Sequence, residues 1–553
     1  MLPTPATAAN APSGPAPHGR PRSRGERLLL ALLIAAHLAP LLVLPALPTQ
    51  DGPSHQALSY ALRIWDEPEA TPLQRYLERN EEAVPNWFVF LVEAELLRPL
   101  SLQAAEKALL AGYVVLLPLA LRWALRGVHP DAGFLAVLGV PFTYNYLLNL
   151  GFFNFCWSLV AFLVALGWFL RGRDRPPAAR AAALALLALW VYFCHGIAFV
   201  MLALAVGTLS LAWGWRDARA AGGGWRGVRA ALARRLPALL ALLPGAALVL
   251  AFLGSRMEEG TGAMPLAPRL YHLPAIYSLV SYDRRAVVFS AALAALLAAL
   301  AWRRLRRPDG AAGDGAQGLL AVAAVFVLVY LVAPNDLAGG GYVTHRLNLF
   351  PPLALLLWLA AASYGPRLRA AVQAIGAALA LGLLGLLWMR WAAVDDALRD
   401  HRLAAARVPA GATALPLSYA HAGRGRDGRP LAFRVQPFLH ALGYASARAP
   451  IVDLGLYGAS EDYFPLRYRP ALDPYHHLGR GRHGMEGQPP TVDIRGYERR
   501  TGGRVDFVLL WQPAAAPPRH SSVIGLRRQL DEGYERVYVS PRGLAELWRR
   551  RRR

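Results

Sequence analysis

The stretch with the most chemical content is Thr49-Gln50-Asp51-Gly52-Pro53-Ser54-His55. Asp51 stands three residues after Pro48, just beyond an apolar run at 28–47. A carboxylate there can take a proton from a hydroxyl as a general base, or ligate a divalent cation through oxygen. Pro53 suits the first turn of a helix, which would place His55 in that turn, facing back toward Asp51. The competing reading is structural: Asp51 opens a turn or caps the helix that starts near Pro53.

A second stretch is Pro334-Asn335-Asp336-Leu337-Ala338-Gly339-Gly340-Gly341-Tyr342-Val343-Thr344-His345-Arg346. A guanidinium at the edge of an apolar span can grip a phosphate bidentately, and glycines before it let the backbone come close to a ligand. The alternative is that Arg346 only snorkels to lipid phosphate, with His345 a mere neighbour. His195 ends an apolar run, where an ionisable residue is a functional candidate, although a helix–helix hydrogen bond explains it equally well. Glu258, beside Glu259, can supply a second acid or be a solvated loop pair. Tyr144, Asn145, Asn149 and Asn154 surround the turn 150–153, where amides line pockets or bridge helices. His476, His477 and Asp453 have no metal-ligand spacing. Cys156 and Cys194 lie far apart in apolar runs and read as small buried hydrophobes.

These residues sit between apolar segments. The chain has 553 residues, of which only 17% are charged, well below the quarter or so usual in soluble proteins. Runs of about 20 apolar residues match a bilayer core of about 30 Å and must be helical there, because lipid offers the backbone no hydrogen bonds. Candidate spans fall at 28–47, 102–121, 131–148, 151–170, 181–197, 198–215, 236–253, 286–302, 318–333, 347–363 and 370–390. With the N-terminus cytoplasmic, the arginine clusters at 122–126, 171–180, 216–235, 303–307 and 367–369 all fall on the cytoplasmic side, as the positive-inside rule requires. The first outer loop, 48–101, carries nine carboxylates against four arginines.

The expected fold is therefore an α-helical polytopic membrane protein of about eleven transmembrane helices. Residues 1–27 form a disordered cytoplasmic N-terminus, 28–390 the transmembrane domain, and 391–553 a small extracytoplasmic α/β domain. Helices are expected in the first outer loop at 53–65 and, along the membrane surface, at 85–100. In the C-terminal domain, strands are expected at 414–419, 451–456, 504–511 and 535–540 and a helix at 521–533. The basic tail 549–553 is left to meet anionic headgroups. The net charge of +23 does not indicate nucleic-acid binding, because the arginines are dispersed between apolar runs rather than gathered on one domain.

An acidic residue just past the first span, a long outer loop with helices, about eleven spans and a C-terminal outer domain together resemble the GT-C superfamily of membrane glycosyltransferases. As an architecture the resemblance covers most of the chain; as a motif it rests on Asp51. It implies a polyprenyl-phosphate-linked sugar donor, a saccharide, lipid or protein acceptor, and a bacterial inner-membrane location. It implies Asp51 as catalytic base, and the residues above add His55, His195, Glu258, His345 and Arg346 as the substrate-binding set. Many members carry two adjacent acids; here Gln50 precedes Asp51, so a divalent cation would lack its second carboxylate. Two other readings compete: a transporter or lipid flippase, which calls for charges or broken helices at mid-bilayer, and an inactive scaffold of this type serving envelope assembly.

Overall fold

The computed structural model describes residues 23–172, 178–256, 262–306, 315–479 and 481–552. Six of its helices are long and apolar enough to cross a membrane: Arg24–Val43, Leu102–Val128, Phe153–Arg171, Gly196–Ala220, Ala286–Arg306 and Pro366–Ala405. A seventh crossing arises if Gly224–Leu240 and Leu243–Gly254, which meet at a 55° bend, are taken together. Ala179–Cys194 and Ala316–Val332 are apolar but shorter. Leu42, Leu186, Leu211, Leu250, Leu328 and Met389 are exposed on these helices. That is the pattern of surfaces facing lipid rather than water. Most of the expected N-terminal tail lies outside the described residues, and the first helix starts at Ser23.

Besides the expected span 236–253, which is broken at that bend, two more take a different form. Residues 131–148 are not an α-helix but a 3₁₀ stretch, Pro130–Phe142, followed by the single turn Tyr146–Asn149. Pro130 and Pro141 withhold backbone donors, and Gly139 lets the chain press onto Leu121, where a Cβ would lie 2.1 Å from a side-chain carbon. At about 2.0 Å rise per residue such a stretch extends farther than an α-helix of equal length. Residues 347–363 split into Val343–Leu347 and Phe350–Leu359, with Pro351 and Pro352 in the first turn of the second helix. Both pieces are buried within the helical body.

The C-terminal region holds a five-stranded sheet. Its strands are β2 (Thr413–Ser418), β3 (Val452–Asp453), β5 (Phe507–Trp511), β6 (Tyr534–Val539) and β7 (Ala545–Arg550), in the order β3-β2-β5-β7-β6. β2 pairs in parallel with β3 and β5, whereas β7 runs antiparallel to β5 and β6. The central strand reads Phe-Val-Leu-Leu-Trp and is buried throughout, as a strand covered on both faces must be. The helix Ser521–Gly533 lies where expected, and the strand expected at 451–456 shrinks to two residues. β7 was not expected, because its sequence Ala-Glu-Leu-Trp-Arg-Arg runs into the basic tail. Arg549 and Arg550 pair with Glu535 and Glu498, and Arg551 donates to the Tyr534 carbonyl oxygen. These three arginines thus each have a partner within the domain.

The boundary drawn at residue 391 falls inside one unbroken helix, Pro366–Ala405, which runs from the apolar body into the C-terminal region. Nor does the segment 48–101 stand apart. Its strand β1 (Leu77–Arg79) pairs antiparallel with β4 (Leu466–Tyr468). Leu58, Leu73 and Phe90 of the loop share one hydrophobic cluster with Leu415, Leu466 and Val508 of the C-terminal region. The second helix of this segment, Phe88–Leu96, buries Val89, Phe90 and Glu93, with Phe90 and Glu93 packed toward the helix Gly52–Arg63, and leaves Leu91 exposed.

Candidate functional site

Asp51 immediately precedes the helix Gly52–Arg63, yet its carboxylate makes no capping hydrogen bond. Its backbone is held from below: Gln50 N–H donates to the Asn149 carbonyl oxygen (3.2 Å) and Asp51 N–H to that of Leu150 (3.0 Å). The side chain thereby points away from its own helix. Oδ1 accepts from Gln50 Nε2 at 3.1 Å and lies 3.6 Å from His440 Nε2. Gln50, which occupies the place of a second acid, also accepts through Oε1 from the backbone N–H of Gln436 at 3.1 Å. It therefore straps Asp51 to the C-terminal region.

Asp51 opens onto a cavity of about 180 Å³. Distant parts of the chain line it: the 48–101 segment (Asp51, His55, Asn86), Phe152 and the start of the Phe153–Arg171 helix, His195, the glycine-rich loop with Arg346, and the C-terminal region with His440, Tyr457 and Glu486. A second cavity of about 190 Å³ adjoins it and shares Asn86, His195, Arg346 and Tyr463. Its remaining walls are largely apolar, among them Val200, Met201, Val249, Phe252 and Val329.

Arg346 is therefore at the junction. Its guanidinium is buried, lies 4.7 Å over the Phe152 ring and donates to the Gly341 carbonyl oxygen, while Nε has no hydrogen-bond partner. Among the described residues no carboxylate pairs with it. The approach to Arg346 is built from strained backbone: Ala338, Gly339 and Tyr342 all have positive φ. For Tyr342 (φ 59°) that conformation costs on the order of 1–3 kcal/mol, which the surrounding packing must overcome. Its ring meets those of Tyr146 and Phe152 edge-on.

The other expected site residues divide. His55 lines the cavity but does not turn to Asp51; Nε2 is 3.0 Å from the Tyr457 hydroxyl, among Phe90, Phe153 and Phe464. Burial, only partly opposed by the backbone of Gly151, pulls its pKa down to about 3, so it is neutral at physiological pH. His195 lines both cavities and caps the helix Gly196–Ala220 by accepting the Ile197 N–H at Nδ1. His345, by contrast, is absent from the cavity walls. It sits beside Tyr146 and His272, with Nε2 3.4 Å from Arg434 Nη2. Glu258 lies outside the described residues.

The amides serve mostly as struts. Asn145 accepts from Leu148 N–H, Asn149 joins Ser281 to Trp391, and Asn154 holds Val89 N–H and the Asn86 carbonyl oxygen while also facing the cavity. Tyr144 donates to the His37 carbonyl oxygen, and His476 pairs with Asp473. Asp453 accepts from Gly455 N–H, and burial raises its carboxyl to about 7. Cys156 and Cys194 are free and buried. Among the described residues no group of three or more His, Cys, Asp or Glu side chains is arranged to hold a metal ion.

The cavity residues missed in the sequence are His440, Glu486, Gln436, Tyr457 and Tyr463. Each lies at least 385 positions after Asp51 in a segment with no motif spacing, and the shared cluster beneath the outer loop is what brings them in. Neither a family model nor a curated protein matches this chain. The fold and site define a helical protein with membrane-length apolar helices and a buried polar cavity beside an apolar one.

Proposed function

We propose that the protein is a membrane glycosyltransferase of GT-C type. In this reading the sugar of a polyprenyl-phosphate donor occupies the polar cavity, and Asp51 takes the proton from the acceptor hydroxyl as it attacks the anomeric carbon. A single displacement inverts that carbon. The observation that carries the reading is Arg346, a buried guanidinium with no carboxylate partner among the described residues, at the junction of the polar and apolar cavities. An uncompensated buried charge is costly, so such a site favours an anion. A phosphate with a sugar on one side and an isoprenoid chain on the other fits that junction by chemistry. Counting the bent pair, the two shorter apolar helices, the 130–149 stretch and the 343–359 pair as crossings yields eleven. With that count, the arginine sidedness supports a reading in which Asp51, Arg346 and the C-terminal region face away from the cytoplasm.

The test is transfer by the full chain in lipid nanodiscs from radiolabelled undecaprenyl-phosphate mannose, glucose, galactose and arabinose. At least one donor is expected to lose its sugar, and Asp51→Asn to slow this by about 10²–10⁴-fold with the protein still folded. A wild-type chain that consumes none of the donors, or an Asp51→Asn chain that keeps its rate, overturns the reading.

A further inference from the structure

Behind Asp51 stands a group supplied by the C-terminal region. His440 Nε2 lies 3.6 Å from Asp51 Oδ1 and 3.9 Å from Glu486 Oε1. The imidazole is buried and stacks on the Tyr457 ring, with centroids 4.6 Å apart and planes 30° from parallel. Glu486 is itself held in place: Tyr475 Oη donates to its Oε1 at 3.0 Å, and His421 Nε2 is 2.8 Å from its backbone oxygen. Asp51, Glu486 and Tyr457 are among the titratable groups that face His440. His55 stands behind Tyr457, with Tyr475 and His421 behind Glu486.

One ring nitrogen therefore faces two carboxylates, and both separations are somewhat longer than a hydrogen bond. Catalytic contacts are commonly loose before substrate binds and tighten in the complex. A small tilt of the ring on Tyr457 closes either gap. The arrangement answers a requirement that Asp51 alone leaves open: a carboxylate that has taken a proton must lose it before it can serve again, and Asp51 is buried.

We propose that His440 relieves Asp51 of the acceptor's proton, and that Glu486 steadies the imidazolium so formed. The inference rests on the glycosyltransferase reading. As the acceptor oxygen bonds to the anomeric carbon, its O–H bond breaks and the proton passes to Asp51. The anomeric C–O bond to phosphate breaks, and its electron pair leaves with the polyprenyl phosphate beside Arg346. Asp51 then hands the proton to Nε2 of a neutral His440, and from that nitrogen it leaves before the next turnover by way of Glu486, whose side chain is 21% exposed against 4% for His440. His440 and Glu486 act through Asp51 and not on the sugar, so they are positioning residues.

The experiment uses the full chain in nanodiscs with the same four undecaprenyl-phosphate sugars, between about pH 5 and 9. For His440→Ala, kcat falls about a hundredfold while KM changes less than threefold, and added imidazole restores part of the rate. The wild-type rate rises with pH through one inflection as His440 loses its proton; His440→Gln abolishes that inflection. Glu486→Gln moves it to lower pH, because removing the neighbouring negative charge makes the imidazolium less stable. The relay is overturned if His440→Ala keeps kcat within threefold and retains the inflection. It is equally overturned if a folded His440→Ala chain is inactive and imidazole restores nothing. A wild-type chain that transfers while the variants match it removes the relay alone; a wild-type chain that transfers nothing removes both proposals.

Discussion

The backbone N–H of Asp51 donates to the carbonyl oxygen of Leu150 across 3.0 Å, joining the start of the Gly52–Arg63 helix to the turn before the Phe153–Arg171 helix. The next residue in that turn, Gly151, has φ of +88°, and a Cβ on it would lie 2.4 Å from Gly52 N and 2.9 Å from two backbone atoms of Asp51. No flexible side chain is available to give way. Gly151→Ala is therefore expected to cost on the order of 1–3 kcal/mol from the left-handed backbone alone. It should also displace Asp51, so transfer should fall further than the melting temperature implies. A Gly151→Ala chain with normal melting and normal turnover contradicts this account of how Asp51 is held.

Arg346 should be replaceable in charge but not in geometry. Lysine keeps the positive charge but has no planar fork to match two phosphate oxygens. Loss of a charge-assisted hydrogen bond costs roughly 1.5–3 kcal/mol, which corresponds to roughly a 10–100-fold rise in donor KM for Arg346→Gln. Arg346→Lys should fall between that and the wild type. The measurement is donor KM together with inhibition by free undecaprenyl phosphate. An Arg346→Gln chain that binds both as tightly as the wild type assigns the phosphate elsewhere.

Glu93 makes a prediction about stability and pH. It is buried under the Gly52–Arg63 helix, where Ser59 Oγ donates to its Oε2 at 2.8 Å. Burial, only partly opposed by Ser59 and Gln56, raises its pKa to about 7. A carboxyl with a raised folded pKa contributes its stability below the unfolded value of about 4.3, and that contribution is lost as pH rises through the folded one. Glu93→Gln never ionises. It should melt at a temperature near the wild type's at about pH 5 and above it at about pH 8.5, by on the order of 1–3 kcal/mol. Parallel melting curves across that interval would show that Glu93 does not titrate there.

Asp283 behaves in the opposite sense. Burial pushes its carboxyl upward, but hydrogen bonds from Arg285 and Arg390 outweigh burial and hold it well below the usual carboxylate range. Arg390 Nε reaches Oδ2 at 2.7 Å and Arg285 Nη2 reaches the same oxygen at 2.9 Å. The contact ties the turn before the Ala286–Arg306 helix to the long Pro366–Ala405 helix that carries the C-terminal region. Its stabilisation is present above the unfolded pKa of about 3.9 and lost only as pH falls through the depressed folded value. Asp283→Asn should therefore destabilise at neutral pH. A double-mutant cycle with Arg390→Gln should yield a coupling of about 0.5–3 kcal/mol, toward the low end because Arg390 is partly exposed. Additive losses would mean that the pair contributes no more than its separate parts.

The apolar helices were largely legible because each carries its own signal: a run long enough to cross a bilayer needs no distant residue to define it. The exceptions were Pro130–Phe142, Val343–Leu359 and the expected span 236–253, where prolines inside or beside the break changed the helix type or interrupted it. β2, β5, β6 and the Ser521–Gly533 helix were likewise readable from local pattern, whereas β7 was hidden because two of its six residues are arginines that run into the basic tail. Asp51 and Arg346 were found because a charge beside an apolar run is conspicuous. His345 was equally conspicuous and lies outside the cavity, since a helix presents neighbouring positions in different directions.

The amino-acid order determined that apolar helices of membrane length exist and that a mixed α/β region follows them, because length, hydropathy and local periodicity are properties of contiguous residues. It also singled out Asp51 and Arg346, which lie about 300 positions apart. Only the tertiary structure decided that the two share a cavity, that Gln50 straps Asp51 to Gln436, and that His440 and Glu486 close the site. Those contacts depend on the outer loop and the C-terminal region burying their apolar faces in one cluster. That packing joins residues hundreds of positions apart, and no local spacing records it.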